Sequence, residues 1–447
     1  MSKAATNAAS RRSRRHDPIR PAPPRILPAV TERSSLWRHA DFLRLWAAQA
    51  ISAYGSRITR TALPIIAISM LDQSESVIGL LVMMQLAPGV ILALFAGGFI
   101  DRGNKRRILI AADLIRAGAV ASLTVSWAIG LLSMAQVIVV GAVVGASSAM
   151  FAITDNAYLP ALIGRSQLAE GNAKIEATEA IAEITGPASA GVLIRVLGAP
   201  LAIVIDAASY LWSAFMLWQI RTREHPHVEA PPTASLSASM RGSDLRIGMR
   251  AVFRHPIVRP IVISHMVWSL SGGFFMALYT PFCLRVLKLD TATFGLVIAM
   301  GGVGALGGAL LSRAFVRTFG LGRTLVMTSA LSLMCALFIP LADGPFVVII
   351  GFLVAHQLLS DGFSVAFVIQ AVTLRQTVLP KQILGRANAA IHVVTASLLP
   401  IGALSGGLIA EAFGTRNAVW VGVLIGLVPP LLLLPLWKLK EMPQGPS

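Results

Sequence analysis

The chain contains about twelve apolar stretches of close to 20 residues each. An α-helix of that length crosses the ~30 Å hydrocarbon core of a bilayer at about 1.5 Å per residue. Charged residues occupy only 13% of the 447 positions, and the mean hydropathy is +0.71, whereas a soluble domain carries about 25% charged residues. These features predict an all-α integral membrane protein with about twelve transmembrane helices.

The predicted spans form two groups of six. Residues 221–257 are the only long polar segment between spans, and we interpret them as a cytoplasmic linker between a six-helix bundle at 41–220 and a second one at 258–440. Residues 1–40 are rich in Arg, Pro and Ala without a hydrophobic period, which predicts a disordered basic tail, and 441–447 form a second tail. We place the spans near 43–70, 77–100, 107–130, 135–158, 171–196, 199–220, 259–282, 293–314, 324–341, 346–370, 388–412 and 417–437.

The two halves are related by a constant sequence offset. Adding 216 to a residue number carries Gly79 to Gly295 and Gly191 to Gly407. The same offset relates four further pairs: Arg107 to Arg323, Asn172 to Asn388, Gly186 to Gly402 and Gly198 to Gly414. Chance matches would scatter over many offsets. The pattern therefore indicates a duplicated six-helix unit, and parallel repeats of this kind build transporters whose site lies between the halves.

Basic residues fall on one side of the predicted spans. With the N-terminus placed inside, 31 of the 38 Lys and Arg residues lie in inner segments, four lie in outer loops and three lie within spans. This distribution predicts that both termini are cytoplasmic. The net charge of +17 therefore reflects orientation and attraction to anionic lipid rather than nucleic-acid binding.

A short polar hinge between the second and third spans concentrates charge. Its pattern, Gly97-x-x-x-Asp101-Arg102 followed by Arg106 and Arg107, resembles the loop signature of the major facilitator superfamily. The resemblance implies the two-bundle fold of that superfamily, with a latch on the cytoplasmic side that holds the halves together while the cavity opens outward. The alternative is that these charges only fix the topology.

The resemblance also implies the partners of the latch. Asp101 would face the N-terminus of the eleventh span near Asn388, where free N–H groups favour an anion. Arg102 would reach Asp155 at the inner end of the fourth span. We expect these contacts to be made and broken during transport.

Two further patterns resemble a branch of bacterial exporters for macrolides and catecholate siderophores. They are Asp113-Leu114-Ile115-Arg116-Ala117 and the pair Leu159-Pro160-Ala161-Leu162 and Asn172-Ala173. Asp113 and Arg116 are three residues apart on one helix, so they can bond within one face and are assigned to the latch. The branch implies a multi-pass protein of a bacterial inner membrane that acts as a monomer.

The fifth span contains a segment rich in glycine and alanine with one proline, which resembles a motif of the superfamily's antiporters. The stretch from Gly186-Pro187 to Gly191 resembles that motif, although Ala190 stands where the family has a second glycine. The resemblance implies exchange of a solute for an ion, most simply a proton.

Two arginines lie in the middle of the first span. Arg57 and Arg60 would each cost at least ~2.5–3.5 kcal/mol if unpaired at the bilayer centre, so both should face a partner or water. Glu176, Glu179 and Glu183 recur at i, i+3 and i+7 on one face of the fifth span. From depth within the spans we expect Arg60 to meet Glu183, with Glu179 nearby, in a pair that alternates with proton or substrate binding. The alternative is a permanent ion pair that holds the two helices together.

Other polar residues also lie within spans. Asp361 in the tenth span is a further candidate for coupling or substrate binding, and Asp206 is expected to form a structural pair with Arg195. A lone membrane histidine is more often a hydrogen-bonded core group than a proton carrier. Three histidines of the second half fall in this class: His265, His356 and His392.

In this fold the cavity should be lined by the first, fourth, seventh and tenth spans, with help from the second, fifth, eighth and eleventh. The side chains expected there suit a bulky, partly hydrophobic organic solute: Tyr54, Met83, Met84, Gln85, Trp268, Phe274, Phe275, Tyr279, Phe363 and Gln370. The sequence contains no phosphate-binding loop and no Cys or His pattern for a metal. We therefore expect neither a cofactor nor a metal, and no enzyme activity.

The leading interpretation is a proton-coupled secondary exporter of a small, drug-like or siderophore-like compound. An importer or facilitator of an organic solute is the alternative within transport, and a non-transporting sensor or scaffold is the alternative of another class. The sequence leaves the substrate open, and carboxylates serve Na⁺ as well as protons.

Overall fold

The computed structural model describes residues 35–222 and 242–439, apart from the side chains of residues 94, 96–99, 101–102, 165, 242–244 and 381. The first half consists of six long helices: α1 (Ala40–Ser69), α2 (Glu75–Arg102), α3 (Lys105–Ala128), α4 (Met134–Ile163), α5 (Leu168–Leu197) and α6 (Ala199–Trp218). A shorter helix, α7 (Gly242–Arg254), precedes the second half. The second half consists of α8 (Val258–Pro281), α9 (Thr291–Phe319), α10 (Leu321–Ala336), α11 (Phe338–Leu341), α12 (Phe346–Val378), α13 (Lys381–Phe413), α14 (Thr415–Gly426) and α15 (Val428–Leu433).

Eleven segments of the described chain are long and apolar enough to cross a membrane. In this count α8 includes a π-helical turn that follows it, α10 includes α11, and α14 includes α15. Helix α1 has 30 residues but carries Arg57 and Arg60 in its middle, which lowers its hydropathy, and it packs against α5 and α6. With α1 as the twelfth span, the predicted all-α architecture of about twelve transmembrane helices is confirmed.

Successive spans run in opposite directions, so the assembly has two ends. We call the end at which α1 and α8 begin the linker side, because α7 packs there against the start of α13. We call the end at which α2 and α9 begin the distal side.

Single glycines make two turns on the distal side. Gly198 (φ +81°) separates α5 from α6, and Gly414 (φ +87°) separates α13 from α14. Residues with a Cβ rarely adopt positive φ, so each turn requires glycine. The offset of 216 relates these two positions, which makes the turns equivalent in the two halves.

The two halves meet chiefly along two helix pairs, α2 with α13 and α5 with α9. A Cβ added at Gly79 would lie 3.1 Å from the Cα of Gly407. A Cβ added at Gly295 would lie 3.0 Å from the Cα of Gly191. Glycine is therefore required for this approach. Because the offset relates one pair to the other, the repeat supplies two equivalent contacts near the distal side.

The predicted N-terminal tail extends too far. Residues 36–38 form a helical turn, in which Leu36 is fully buried and its backbone N–H donates to Glu170 Oε1 at 3.3 Å. The Trp37 ring packs edge-on against Trp46. The folded chain thus begins before residue 40, and the rest of the predicted tail, like the segment 441–447, lies outside the described residues.

The predicted linker contains a helix. In α7 the residues Arg246, Arg250 and Arg254 recur every four positions on one face, whereas Gly248 packs on the Arg386 carbonyl and Val252 is buried. Because these arginines make the predicted linker polar on average, its composition did not reveal that this part forms an amphipathic helix. The helix attaches the beginning of the second half to α13.

Candidate functional site

A cavity of about 380 Å³ lies between the two halves. The first half contributes residues of α1, α2 and α5 to its wall, and the second half contributes residues of α8, α9, α10 and α12. Helix α4, expected to line it, does not, because Gly145 packs the helix directly on the backbone of Gln85 in α2. Helix α10 supplies Ser332, which exchanges hydrogen bonds of 2.9 Å with Ser360 of α12. Small hydroxyl residues in a span carry no sequence signature, so this contribution was missed.

An ion-pair cluster joins α1 to α5 at the cavity wall. Arg57 forms an ion pair with Glu183, and its Nη2 lies 3.1 Å from Glu179 Oε2. The Arg57 side chain is 13% exposed, whereas those of Glu179 and Glu183 are 44% and 53% exposed. The cation is therefore held within the protein while both carboxylates remain accessible.

The expected pair between Arg60 and Glu183 is not formed, because Arg57 takes that place. The observed helix starts, Ala40 and Leu168, place Arg57 and Glu183 at nearly equal depth, and Arg60 almost one turn deeper. Arg60 lines the cavity and makes no ion pair or hydrogen bond with any residue that the structure describes. Its side chain is exposed at the cavity wall.

The antiporter-like motif has a geometric role at this cluster. A Cβ at Gly186 would lie 2.7 Å from the Cβ and Cγ of Arg57, so glycine makes the room in which the arginine lies against α5. Pro187 lines the cavity, and Gly191 forms the distal contact with Gly295. The three motif residues therefore connect the ion pair, the cavity and the interface between halves.

The wall contributed by the second half is mixed. Asp361 lines the cavity and packs on Gly301 of α9. His356 also lines it, with Nδ1 3.2 Å from the Cys335 carbonyl oxygen. The cavity thus holds acidic groups on both sides and two arginines on one.

Of the aromatic and amide residues expected at the cavity, the structure places Gln85, Trp268, Phe275 and Tyr279 on its wall. Phe274, which we expected there, is 2% exposed and packs on Gly406 and Gly422 on the opposite face of α8. Adjacent helical residues point about 100° apart, so Phe275 faces the cavity instead.

Three further candidates lie elsewhere. Tyr54 packs against a buried apolar cluster that contains residues of both halves. Phe363 packs against the Phe315 ring, and Gln370 donates to Ser312 Oγ at 2.6 Å. The described cavity wall includes none of the three.

Asp113 and Arg116 form the expected ion pair on one face of α3, inside the first half. The Asp113 side chain is fully buried and accepts a hydrogen bond of 2.6 Å from Ser213. The Arg116 guanidinium lies 4.6 Å and 4.4 Å from the ring centroids of Phe151 and Tyr210. The pair therefore joins α3 to α4 and α6, which is a structural arrangement.

The remaining latch residues are only partly described. Arg106 donates from Nε to the Leu217 carbonyl at 2.8 Å and also bonds the Trp218 carbonyl, so it caps the end of α6. The Arg107 side chain is exposed. Asp155 accepts a hydrogen bond of 2.5 Å from Gln49.

The side chains of the hinge residues Asp101 and Arg102 lie outside the described residues, as do the surroundings of Gly97. The contacts expected between Asp101 and the start of α13, and between Arg102 and Asp155, therefore remain predictions.

Charged residues join the halves on the distal side. Arg195 pairs with Asp290 at 3.2 Å instead of the expected Asp206, which is buried beside Ser209. Hydrogen bonds from Thr293 hold the pKa of Asp290 below its usual value, and the bond from the Thr293 hydroxyl has the largest effect.

A second distal cluster is centred on Arg285. This arginine lies 3.0 Å from Asp72 and 3.3 Å from Glu75, and donates to the Gln73 carbonyl at 2.8 Å. Ser74 Oγ also lies 3.3 Å from Glu411 Oε2. Both clusters lie beside the glycine contacts, so the distal side is closed.

The structure resembles a known transporter fold. A bacterial homologue of the iron transporter ferroportin in its inward-facing state matches with a TM-score of 0.73 at 17% identity, over 91% of this chain and 100% of that one. Its outward-facing state matches with a TM-score of 0.56. The likeness concerns the fold, and the arrangement of the halves is nearer to the inward-facing one.

Sequence relatives point to the same fold family. The chain is 25% identical over 409 residues to the multidrug efflux pump Tap of Mycolicibacterium fortuitum. The aligned region covers 88% of this chain and 93% of that protein. It is 27% identical over 175 residues to macrolide efflux protein A of Streptococcus pyogenes, 39% of this chain and 43% of that protein. A sequence model described as transmembrane secretion effector matches residues 33–445. Since that match spans nearly the whole chain, the protein belongs to the transmembrane secretion effector family of the major facilitator superfamily, and it is a multi-pass membrane transporter rather than an enzyme.

Proposed function

We propose that the protein exports a small, partly hydrophobic organic compound in exchange for protons. The accessible carboxylates of Glu179 and Glu183 around the nearly buried Arg57 carry this proposal. The charge distribution of the loops supports an inner-membrane orientation with both termini cytoplasmic. On that orientation the linker side faces the cytoplasm, and the closed distal side corresponds to an inward-facing state.

The cluster can exchange a proton for an ion pair. Protonation of Glu183 releases its contact with Arg57, and Glu179 still neutralises the guanidinium. This second carboxylate matters because a buried charge left without a partner costs several kcal/mol. The proton can therefore bind without leaving Arg57 uncompensated.

A solute can then bind beside the arginine that Glu183 has released. Arg60 and Asp361 offer charges of both signs across the cavity, and Trp268, Phe275 and Met276 supply apolar surface. A cavity of about 380 Å³ falls within the ≈ 300–1,000 Å³ of ligand sites for organic molecules. The names of the two relatives, a multidrug efflux pump and a macrolide efflux protein, favour export of drug-like compounds.

The test uses proteoliposomes that contain a pH-sensitive dye. Ethidium, tetracycline and erythromycin are added one at a time, and proton movement is recorded for wild type and for Glu183→Gln. We expect the variant to lose substrate-induced proton movement. Glu176→Gln is the matched control, because Glu176 lies on the same helix but does not line the cavity. Full proton movement in Glu183→Gln would contradict the assignment.

Facilitated transport or import is the second candidate, favoured by the low exposure of Arg57, which fits a permanent ion pair between α1 and α5. Flux of labelled compound in both directions, measured with the pH gradient reversed and then with a Na⁺ gradient, distinguishes the candidates. An exporter coupled to protons reverses with the pH gradient, whereas a facilitator follows only the solute gradient.

A further inference from the structure

A second cavity, of about 160 Å³, lies in the half of the second bundle nearer the linker side. It is bounded by the beginning of α8, the end of α12 and the beginning of α13. Its polar wall consists of Arg375, His265, His392 and Asn388, with Thr395. No Asp or Glu among the described residues lines it. The cavity is therefore rich in hydrogen-bond donors and in positive charge.

Arg375 has no partner in the part of the chain that the structure describes. It makes no ion pair there, and its Nε is buried without a hydrogen bond. The amide oxygen of Asn388 is also buried without a donor, and rotation of the amide would turn its N–H₂ group to the same space. An unpaired guanidinium within a span is unfavourable, so an anion bound beside Arg375 would stabilise it.

The small cavity and the central one lie along the same faces of two helices. On α8, His265 of the small cavity is followed at helical spacing by Trp268 and Gly272 of the central cavity, and the His265 and Trp268 rings are 5.4 Å apart. On α12, Arg375 lies on the same face as Asp361. The two cavities thus share helix faces that lead from the linker side to the centre.

We propose that this small cavity binds the carboxylate or phosphate group of the solute as it enters from the linker side. A planar guanidinium recognises such oxyanions through two parallel N–H donors, and the imidazoles and the amide add donors around it. This inference rests on the proposed function, because it takes the linker side as the side of entry. The proposed substrate is then a partly hydrophobic organic compound that carries an acidic group.

The test is a binding measurement in phosphatidylcholine nanodiscs by equilibrium dialysis. Salicylate is compared with salicylamide, which has nearly the same shape without the negative charge. We expect salicylate to bind wild type more tightly, and Arg375→Gln to weaken it about tenfold or more, as expected for loss of hydrogen bonds to a charged group. Arg375→Lys keeps the charge and should retain part of the affinity.

An exposed arginine provides the matched control. Arg317→Gln removes an exposed arginine from the linker-side end of α9, and this variant should bind salicylate within about twofold of wild type. Arg60→Gln, which removes an arginine of the central cavity, is measured beside Arg375→Gln. Equal binding of salicylate and salicylamide, or loss of binding in Arg60→Gln with full retention in Arg375→Gln, would overturn the proposal.

Lipid is the other source of such an anion. The dialysis is therefore repeated in nanodiscs that contain phosphatidylglycerol. Retained salicylate binding supports a solute site, and binding abolished by this lipid would assign Arg375 to a headgroup and overturn the entry role. Because the assay uses no ion gradient, absence of proton coupling would leave its result unchanged.

Discussion

A single methyl group added at Gly295 should open the distal side. The Cβ of Gly295→Ala would lie 3.0 Å from the Cα and 3.1 Å from the N of Gly191, and still nearer the Pro187 carbonyl oxygen. These are backbone atoms of α5, so no side chain can rotate away. The halves must separate locally for alanine to fit.

The magnitude follows from the packing. Overfilling a close-packed contact costs about 1–3 kcal/mol, and this penalty applies only to the state in which α5 and α9 touch. About 1.4 kcal/mol changes an equilibrium constant tenfold, so the ratio of distal-closed to distal-open molecules should fall by about five- to 150-fold. Gly307→Ala is the matched control, because Gly307 lies on the same helix with no atom within 4 Å of an added Cβ.

Distances between spin labels measure the opening. Cysteines replace Leu131 and Val347, which are exposed and lie at the distal ends of the first and second halves. The native Cys283 and Cys335 are buried and are replaced by alanine. We expect a longer label-to-label distance to gain population in Gly295→Ala but not in Gly307→Ala. An unchanged distribution, or the same change in both variants, would refute the role of the glycine contact.

Three further results are expected from polar contacts. Arg285→Gln should also increase the population of the longer distal distance, because it removes contacts between the halves. Asp113→Asn should lower the thermal unfolding temperature, since it leaves Arg116 buried without its carboxylate, a loss of about 3–5 kcal/mol. Because the pKa of Asp290 is lowered in the folded protein, its contribution to stability is complete above the ordinary pKa of 3.8. That contribution is lost only as the pH falls through the lower folded pKa. The distal distance in wild type should therefore not respond to Asp290 between about pH 5 and 8, which the same labels can check by comparison with Arg195→Gln.

The sequence was sufficient for the membrane architecture because hydropathy over 20 residues is a local property that the bilayer imposes. The same property does not report where a helix ends. Helix α12 continues to Val378, beyond the apolar stretch that ended near 370, and α13 begins at Lys381 rather than 388. The extra turns of α12 contain Thr373, Arg375 and Gln376, polar residues that end an apolar stretch without ending the helix.

The candidate site was predictable by residue type but not by partner. Mid-span arginines and the helical spacing of the glutamates selected the ion-pair cluster, yet Arg57 rather than Arg60 meets Glu183. To choose between residues three apart, the rotation of the helix and the depth of each residue must be known to within one turn. The sequence gives the ends of the spans less accurately than that. The same limitation placed both Phe274 and Phe275 at the cavity, although of the two only Phe275 lines it.

Helix α5 joins the ion pair, the cavity and the interface between the halves. Glu183 holds the ion pair with Arg57, and Gly186, less than one turn further along, makes room for that arginine. The next turns reach Gly191, which packs on Gly295 to close the distal side. A rigid helix transmits a rotation or shift along its length. A change of partner at Glu183 that moves α5 against α1 must therefore also disturb the contact with α9, which gives the glycine and proline motif a physical role between the ion pair and the distal closure.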